Sequence, residues 1–432
     1  MSAVTNDASV TADSDNDWFG HPRGLTILFL TEMWEKFSYY GMRALLVYYM
    51  TKSLLMPQAQ ASWIYGTYAA FSYFTPILGG LVADRVLGRR RAVMIGGAIM
   101  ALGHFMMAFD SLFYPALAMI GLGNGLFLPS LPSQVQSLYA PNDPRLSSAY
   151  SVYYVGVNLG GVLAPLICGT LGELLGWHWG FGAAGVGMCA ALVIYRVGGR
   201  YLPHSVAVVQ SRATTSPAEK AQFGKRIGLL LGVVLMIVVF RGAYEQVGNT
   251  VALWADSADR SVGAQLTIPA TWFQALNPLL VFALTPIVLA AWRYRAKHGH
   301  TFAPLRRMAM GAAIVALAYG LLAAASYLSH LHQMPAHWIW LVAFFVIYTA
   351  GELCVLPVGL ALFGQFAPRA LAATMISVWF SASFAGNLLA GSIGTLWSRF
   401  DNEIFFLLVA AIALLSATAL LLVDQPSRRL LR

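Results

Sequence analysis

Thr31-Glu-Met-Trp-Glu-Lys-Phe-Ser-Tyr-Tyr-Gly-Met-Arg43 places four ionisable side chains in apolar surroundings, with Leu25 to Leu30 before it and Ala44 to Met50 after it. At 3.6 residues per turn, Glu32, Glu35, Lys36, Tyr39 and Arg43 share one helical face. The stretch and its flanks are together long enough to span a bilayer. An ionised group at the centre of a membrane helix costs about 2.5 to 3.5 kcal/mol on insertion scales, so a face carrying four of them is excluded from lipid. It must look into a protein interior or a water-filled cavity. Glu32 and Lys36 stand in the favourable i, i+4 order, and pairing between them lowers the cost. Pairing does not account for the charges being in the membrane at all, and an intramembrane cluster of this kind marks a site of function.

The remaining sequence builds a membrane protein around that helix. Of 432 residues, 58% are hydrophobic and 10% charged, and the mean hydropathy is +0.65, values foreign to a soluble domain. Hydropathy predicts an all-α protein with twelve spans, near 24–52, 59–83, 90–109, 112–138, 147–175, 178–198, 226–252, 270–294, 304–328, 335–364, 369–396 and 401–424. The net charge of +9 points to nucleic acid only until its placement is read. With an inside N-terminus, 21 basic residues fall in the tails and even-numbered loops, three outside (Lys52, Arg260, Arg399) and three within spans (Lys36, Arg43, Arg241). Such a bias places both termini in the cytoplasm, as for a bacterial inner-membrane protein, and leaves no nucleic-acid footprint. Residues 1–23 read as a disordered cytoplasmic tail without a secretory signal. Cys168, Cys189 and Cys354 lie in apolar segments without metal-ligand spacing. No nucleophile–base pair or phosphate loop stands out, so neither an enzyme nor a bound cofactor is expected.

Taken in order, the spans carry further polar signals. Tyr65, Tyr68, Tyr73 and Thr75-Pro76 interrupt the second. Gly79-Gly-Leu-Val-Ala-Asp-Arg-Val-Leu-Gly-Arg-Arg-Arg91 follows as a tight basic connection, whose arginines serve topology if nothing else. Its glycine spacing resembles the loop between helices 2 and 3 of the major facilitator superfamily, which implies two six-helix bundles and a conformational latch at Asp84 and Arg85. Glycines and prolines in Gly121 to Pro132 and Tyr153 to Gly161 favour close packing and kinks, while the Asn158 amide must bond to another helix or to a ligand. A polar linker, 199–225, separates a bundle over 24–198 from one over 226–424, with 425–432 as a second tail. Span seven holds Arg241 and Glu245 at i, i+4, span eight Asn277-Pro278, span ten Glu352 and span eleven Trp379. Lys36, Arg43 and Arg241 thus face Glu32, Glu35, Glu245 and Glu352, leaving one carboxylate without a cation and able to carry a proton.

These residues together resemble the proton-dependent oligopeptide transporter family. The helix-1 signature Glu-x-x-Glu-Arg/Lys-Phe followed by Tyr-Tyr-Gly-Met-Arg is matched from Glu32 to Arg43. Gly125-Leu-Phe-x-Pro129, Gly156-Val-Asn-Leu-Gly160, Glu245-Gln-x-Gly-x-Thr250, Leu276-Asn-Pro278, Gly351-Glu-Leu and Pro357-Val-Gly359 follow in the family's order. The resemblance implies a salt bridge between halves from Arg43 to Glu245 and a proton-linked cluster at Glu32, Glu35 and Lys36. It also implies that Asn158, Asn277 and Glu352 receive a peptide's amino end while Tyr39, Tyr40, Tyr73 and Trp379 line the pocket. The expected ligands are protons and a small peptide, handled by a monomer in the lipid bilayer.

Three departures stand out. The family's helix-4 lysine is replaced by Leu128, its helix-7 aromatic by Arg241, and the linker is too short for the two extra helices that bacterial relatives often carry. Arg241 therefore either supplies the missing cation for a differently posed substrate or competes with Arg43 for Glu245. The expected function is proton-coupled transport, in which protonation among Glu32, Glu35 and Glu245 weakens a gate. On that expectation, Glu245→Gln stops pH-driven uptake and spares exchange. The alternatives are an exporter or facilitator of a modified peptide, drug or other metabolite, and a receptor without flux.

Overall fold

The computed structural model describes residues 16–18, 20–140, 143–202, 217–263, 265–299, 302–366 and 372–430. Twelve helices of fifteen residues or more run through these residues. They are α1 (Arg23–Tyr48), α2 (Gln58–Val82), α3 (Arg89–Met106), α4 (Phe113–Phe127), α5 (Leu146–Ala164) and α6 (Trp177–Gly198), followed by α7 (Pro217–Tyr244), α8 (Leu276–Lys297), α9 (Pro304–His332), α10 (Ile339–Phe366), α11 (Ala372–Gly394) and α12 (Asn402–Leu430). Eight of the spans are apolar enough to cross a bilayer on length and composition alone. The α1 span is not among them, because it carries Glu32, Glu35, Lys36 and Arg43.

Each half repeats one packing scheme. In the first, α1 packs on α5 and α6, α3 on α4 and α6, and α2 on α4; in the second, α7 packs on α11 and α12, α9 on α10 and α12, and α8 on α10. The halves meet where α2 crosses α11 and α5 crosses α8, a pair of contacts exchanged by the same correspondence. This is the two-bundle architecture expected, with internal repetition typical of secondary transporters. The α2–α11 crossing is tight because both helices present glycine there: a Cβ on Gly66 would collide with the Gly391 backbone.

Several spans are broken where the sequence is proline- or glycine-rich. The fourth stops at Phe127 and resumes as Ser130–Ser137 around Pro129, and the fifth passes through a wide turn at Pro165–Gly169. The seventh tightens into a 3-10 segment at Glu245–Gly248 before continuing as Thr250–Ser257.

Two boundaries differ from the sequence reading. The expected linker 199–225 ends earlier, since α7 already begins at Pro217; residues 203–216 of it lie outside the described residues. A helix with charged residues continues beyond the apolar zone, where hydropathy registers only polarity. The tail expected over 1–23 includes a two-strand ribbon, Asn16–Trp18 with His21–Pro22, while 1–15 and 19 lie outside the described residues. His21 is buried and its Nδ1 lies 2.8 Å from the Tyr139 hydroxyl, which ties this segment to the bundle.

Candidate functional site

A cavity of about 240 Å³ lies between the halves. Its walls include Tyr40, Arg43, Tyr73, Tyr154 and Asn158 from the first half and Arg241, Tyr244, Glu245, Asn277, Tyr348 and Glu352 from the second. The balance of aromatic walls with a few aimed polar groups suits a small amphiphilic ligand.

Glu245, from the 3-10 break, is gripped from two sides. Arg43 Nη2 reaches its Oε2 at 2.5 Å from the opposite half. Arg241 Nη1 reaches its Oε1 at 2.8 Å from one turn back on its own span. The two arginines share the carboxylate, one oxygen each, so the competition between them considered from sequence takes the form of a three-member cluster with one excess positive charge. Arg43 also donates from Nε to the Tyr65 hydroxyl at 2.6 Å. Arg241 is held among rings, 5.6 Å from the centroid of Tyr73 and 6.0 Å from those of Tyr244 and Trp379.

Glu352 has different company. Asn277 donates to its Oε2 at 2.5 Å and the Tyr244 hydroxyl to its Oε1 at 2.8 Å. No cation lies within ion-pair distance of it among the described residues. Neutral donors satisfy its lone pairs without neutralising its charge, and Asn277 is braced further by Thr349 at 3.1 Å. Tyr244 thus joins the two poles of the cavity, with its ring toward Arg241 and its hydroxyl on Glu352.

The third cluster sits lower on α1. Lys36 Nζ lies 2.7 Å from Glu35 Oε2 and 3.4 Å from Glu32 Oε1. One lysine therefore serves two buried carboxylates, and among the described residues none hydrogen-bonds Glu35 Oε1. The Glu35 contact is the shorter of the two, so Lys36 is held chiefly by Glu35. Counted with every group ionised, the buried charges form three groups: two carboxylates with one cation at Glu32/Glu35/Lys36, two cations with one carboxylate at Arg43/Arg241/Glu245, and a carboxylate among neutral donors at Glu352.

Not every residue singled out from sequence meets the cavity. Tyr39 is buried edge-on against Tyr40 at 5.3 Å, and Trp379 packs over Gly359 and Arg241; neither lines the cavity wall. Asn158 lines it, but its Nδ2 donates to the Tyr154 carbonyl on its own helix at 2.9 Å. Asp84 faces Arg89 Nε at 3.4 Å, and Arg85 is exposed, with both remaining at the end of the first half. Tyr154, Tyr244 and Tyr348 line the wall as well, and only position hints at two of them in sequence: Tyr244 immediately precedes Glu245 and Tyr154 lies four before Asn158.

One end of the cavity is shut by contacts between halves. Lys52 pairs with Asp256 at 2.6 Å, Ser62 donates to Asn249 Oδ1 at 2.8 Å, Gln58 to the Gly394 carbonyl at 2.9 Å, and Tyr48 to the Ala252 carbonyl at 2.8 Å. Glu173 accepts from the backbone N–H groups of Ala270 and Thr271 at 3.0 and 2.8 Å, capping the turn that leads into α8. These contacts lie at the end where α1 runs into α2. Toward the opposite end α8 buries only Val281 along Leu276–Lys297, and the halves touch through rings, Tyr73 with Phe380 at 6.4 Å and Phe74 with Phe384 at 5.5 Å.

The sequence profile of the POT family matches residues 90–207 and 203–412. The peptide transporter YePEPT of Yersinia enterocolitica is 33% identical over 98% of each chain. The uncharacterized transporter YclF of Bacillus subtilis is 30% identical over 100% of this chain and 99% of its own. A crystal structure of a peptide transporter POT variant in complex with alafosfalin matches with a TM-score of 0.86 at 30% identity, covering 96% of both chains.

Proposed function

The chain belongs to the POT family, and on that premise we propose that it is a proton-coupled secondary transporter of peptides or peptide-like molecules, working by alternating access as a monomer in a bacterial inner membrane. The observation that carries this reading is the Arg43–Glu245 pair, a buried contact between halves at the cavity wall. Any rocking of one bundle against the other must pull across it. With both termini in the cytoplasm, as the basic residues indicate, the shut end faces outward.

Arg241 divides the labour among the carboxylates. Opening the outer end separates Arg43 from Glu245, but Arg241 moves with Glu245 because both ride on one span. Without Arg241 the carboxylate would be left bare in a poorly hydrated site, and only a proton would relieve it. With Arg241 it keeps a cation 2.8 Å away. The expectation that Glu245 carries the coupling proton is therefore narrowed to gating, and the proton is assigned to Glu32 and Glu35, which share one lysine. The proton is the coupling ion, and no bound cofactor enters the cycle.

Glu352, with its neutral donors, suits a peptide's ammonium group, while Arg43 and Arg241 offer guanidinium donors to a carboxylate. Purified protein in proteoliposomes tests the reading: an inward proton gradient is expected to accumulate a dipeptide such as dialanine, and a protonophore to stop it. Absence of both accumulation and counterflow for di- and tripeptides would contradict it.

A second reading rests on Leu128. Without the family's helix-4 lysine, and with both cavity arginines engaged by Glu245, a free carboxylate has fewer unoccupied donors. A carrier of capped or modified peptides fits that arrangement. Competition between amidated and free-acid dipeptides separates the two, since loss of free-acid preference favours the second.

A further inference from the structure

Away from the cavity, α3 begins and α6 ends side by side around a surface groove of about 410 Å³. Arg90, Arg91 and Arg196 line it together with Met94, Ile95 and Tyr195, and among the described residues no carboxylate does. None of the three arginines is ion-paired among the described residues. Arg90 is fixed by donating from Nη2 to the Gly199 carbonyl just past α6, which leaves most of its five N–H donors for other use. Arg91 and Arg196 are exposed.

Apolar residues continue from the groove in the direction of the bilayer. On α3, Ile95 and Leu102 are exposed on the Arg91 side of the helix; on α6, Val193 is exposed about one turn before Arg196 and Val186 nearly three turns before it. Higher up the helices close together, with Met188 and Leu192 packed at Gly97. The groove is therefore a cationic recess at the membrane–water boundary, with hydrocarbon-facing ridges running away from it. Basic charge placed only to orient the chain needs no recess and no such continuation.

We infer that this groove binds the phosphodiester headgroup of an anionic glycerophospholipid, with Arg91 and Arg196 holding the phosphate oxygens and the acyl chains lying along Ile95, Leu102, Val193 and Val186. Guanidinium forks match phosphate geometry, and basic recesses between membrane helices recognise anionic headgroups. The occupant would bridge α3 and α6 at the end of the first bundle and stabilise their packing.

The test compares phosphatidylglycerol, phosphatidylcholine and inorganic phosphate on the purified full-length chain, by lipid retention in native mass spectrometry and by thermal unfolding in detergent. The wild type is expected to prefer phosphatidylglycerol to phosphatidylcholine by about tenfold and to unfold at a higher temperature in its presence. Arg91→Gln/Arg196→Gln is expected to lose the preference. Arg293→Gln/Lys297→Gln, which removes two exposed charges elsewhere, is expected to keep it. The inference is overturned if the wild type shows no preference, if the groove variant discriminates as well as the wild type, or if the remote variant loses discrimination equally. It is also overturned if inorganic phosphate at equal concentration gives the same stabilisation, which would make the groove a soluble-anion site.

Discussion

Arg241 holds Glu245 from within the same span at 2.8 Å, while Arg43 holds the other carboxylate oxygen from the opposite half at 2.5 Å. The first contact survives any rigid movement of the halves and the second does not. This asymmetry makes Arg241 a retained counter-ion. Its removal is expected to leave Glu245 without a cation whenever the halves part: counterflow by Arg241→Gln should fall about tenfold relative to wild type, with Arg241→Lys nearer to wild type. Counterflow by Arg241→Gln at the wild-type rate, or an equal loss in Arg241→Lys, would contradict this role.

Glu245→Gln leaves two guanidiniums without their shared carboxylate. Removing one partner of a buried ion pair typically costs about 3 to 5 kcal/mol, so a fall in thermal stability of the detergent-purified protein is expected. Glu245→Asp, which keeps the charge, should recover part of it. A variant as stable as wild type would mean that the cluster contributes nothing to holding this conformation.

Substrate polarity is assigned through Glu352. Loss of a charge-assisted contact is worth roughly 1.5 to 3 kcal/mol, so Glu352→Gln should raise KM for a free dipeptide by about ten- to a hundredfold. An N-acetylated dipeptide, which brings no ammonium, should be affected far less. Equal effects on both would remove Glu352 from recognition of the amino end.

Closure of the outer end depends on the glycine crossing of α2 and α11. Gly66→Leu is expected to wedge the halves apart there and expose Ser62, which is fully buried. A Ser62→Cys probe should then react with a membrane-impermeant maleimide about tenfold faster than in the Gly66 background. Unchanged labelling would show that the crossing does not control access.

The membrane character and the charged face of α1 were legible because bilayer energetics leave few ways to place four charges on one apolar helix. Pairings across 202 residues, such as Arg43 with Glu245, came only from resemblance, since nothing local in either span names its partner. The aromatic walls Tyr154, Tyr244 and Tyr348 were less legible for a different reason: a tyrosine in a membrane helix has the same local signature whether it packs or lines a cavity. The sharing of Glu245 by two arginines depends on side-chain reach, which spacing alone does not settle. The α7 start at Pro217 was obscured by Lys220 and Lys225, charges that a helix tolerates once it leaves the apolar zone.

The most direct test of the central claim, that the α1 cluster carries the proton while Glu245 gates, is gradient-driven accumulation measured beside counterflow in proteoliposomes for Glu35→Gln. Glu35→Gln is expected to exchange dipeptide across the membrane but no longer to concentrate it under an inward proton gradient. Accumulation at the wild-type level by Glu35→Gln, with Glu245→Gln alone abolishing it, would place the coupling proton on Glu245 instead.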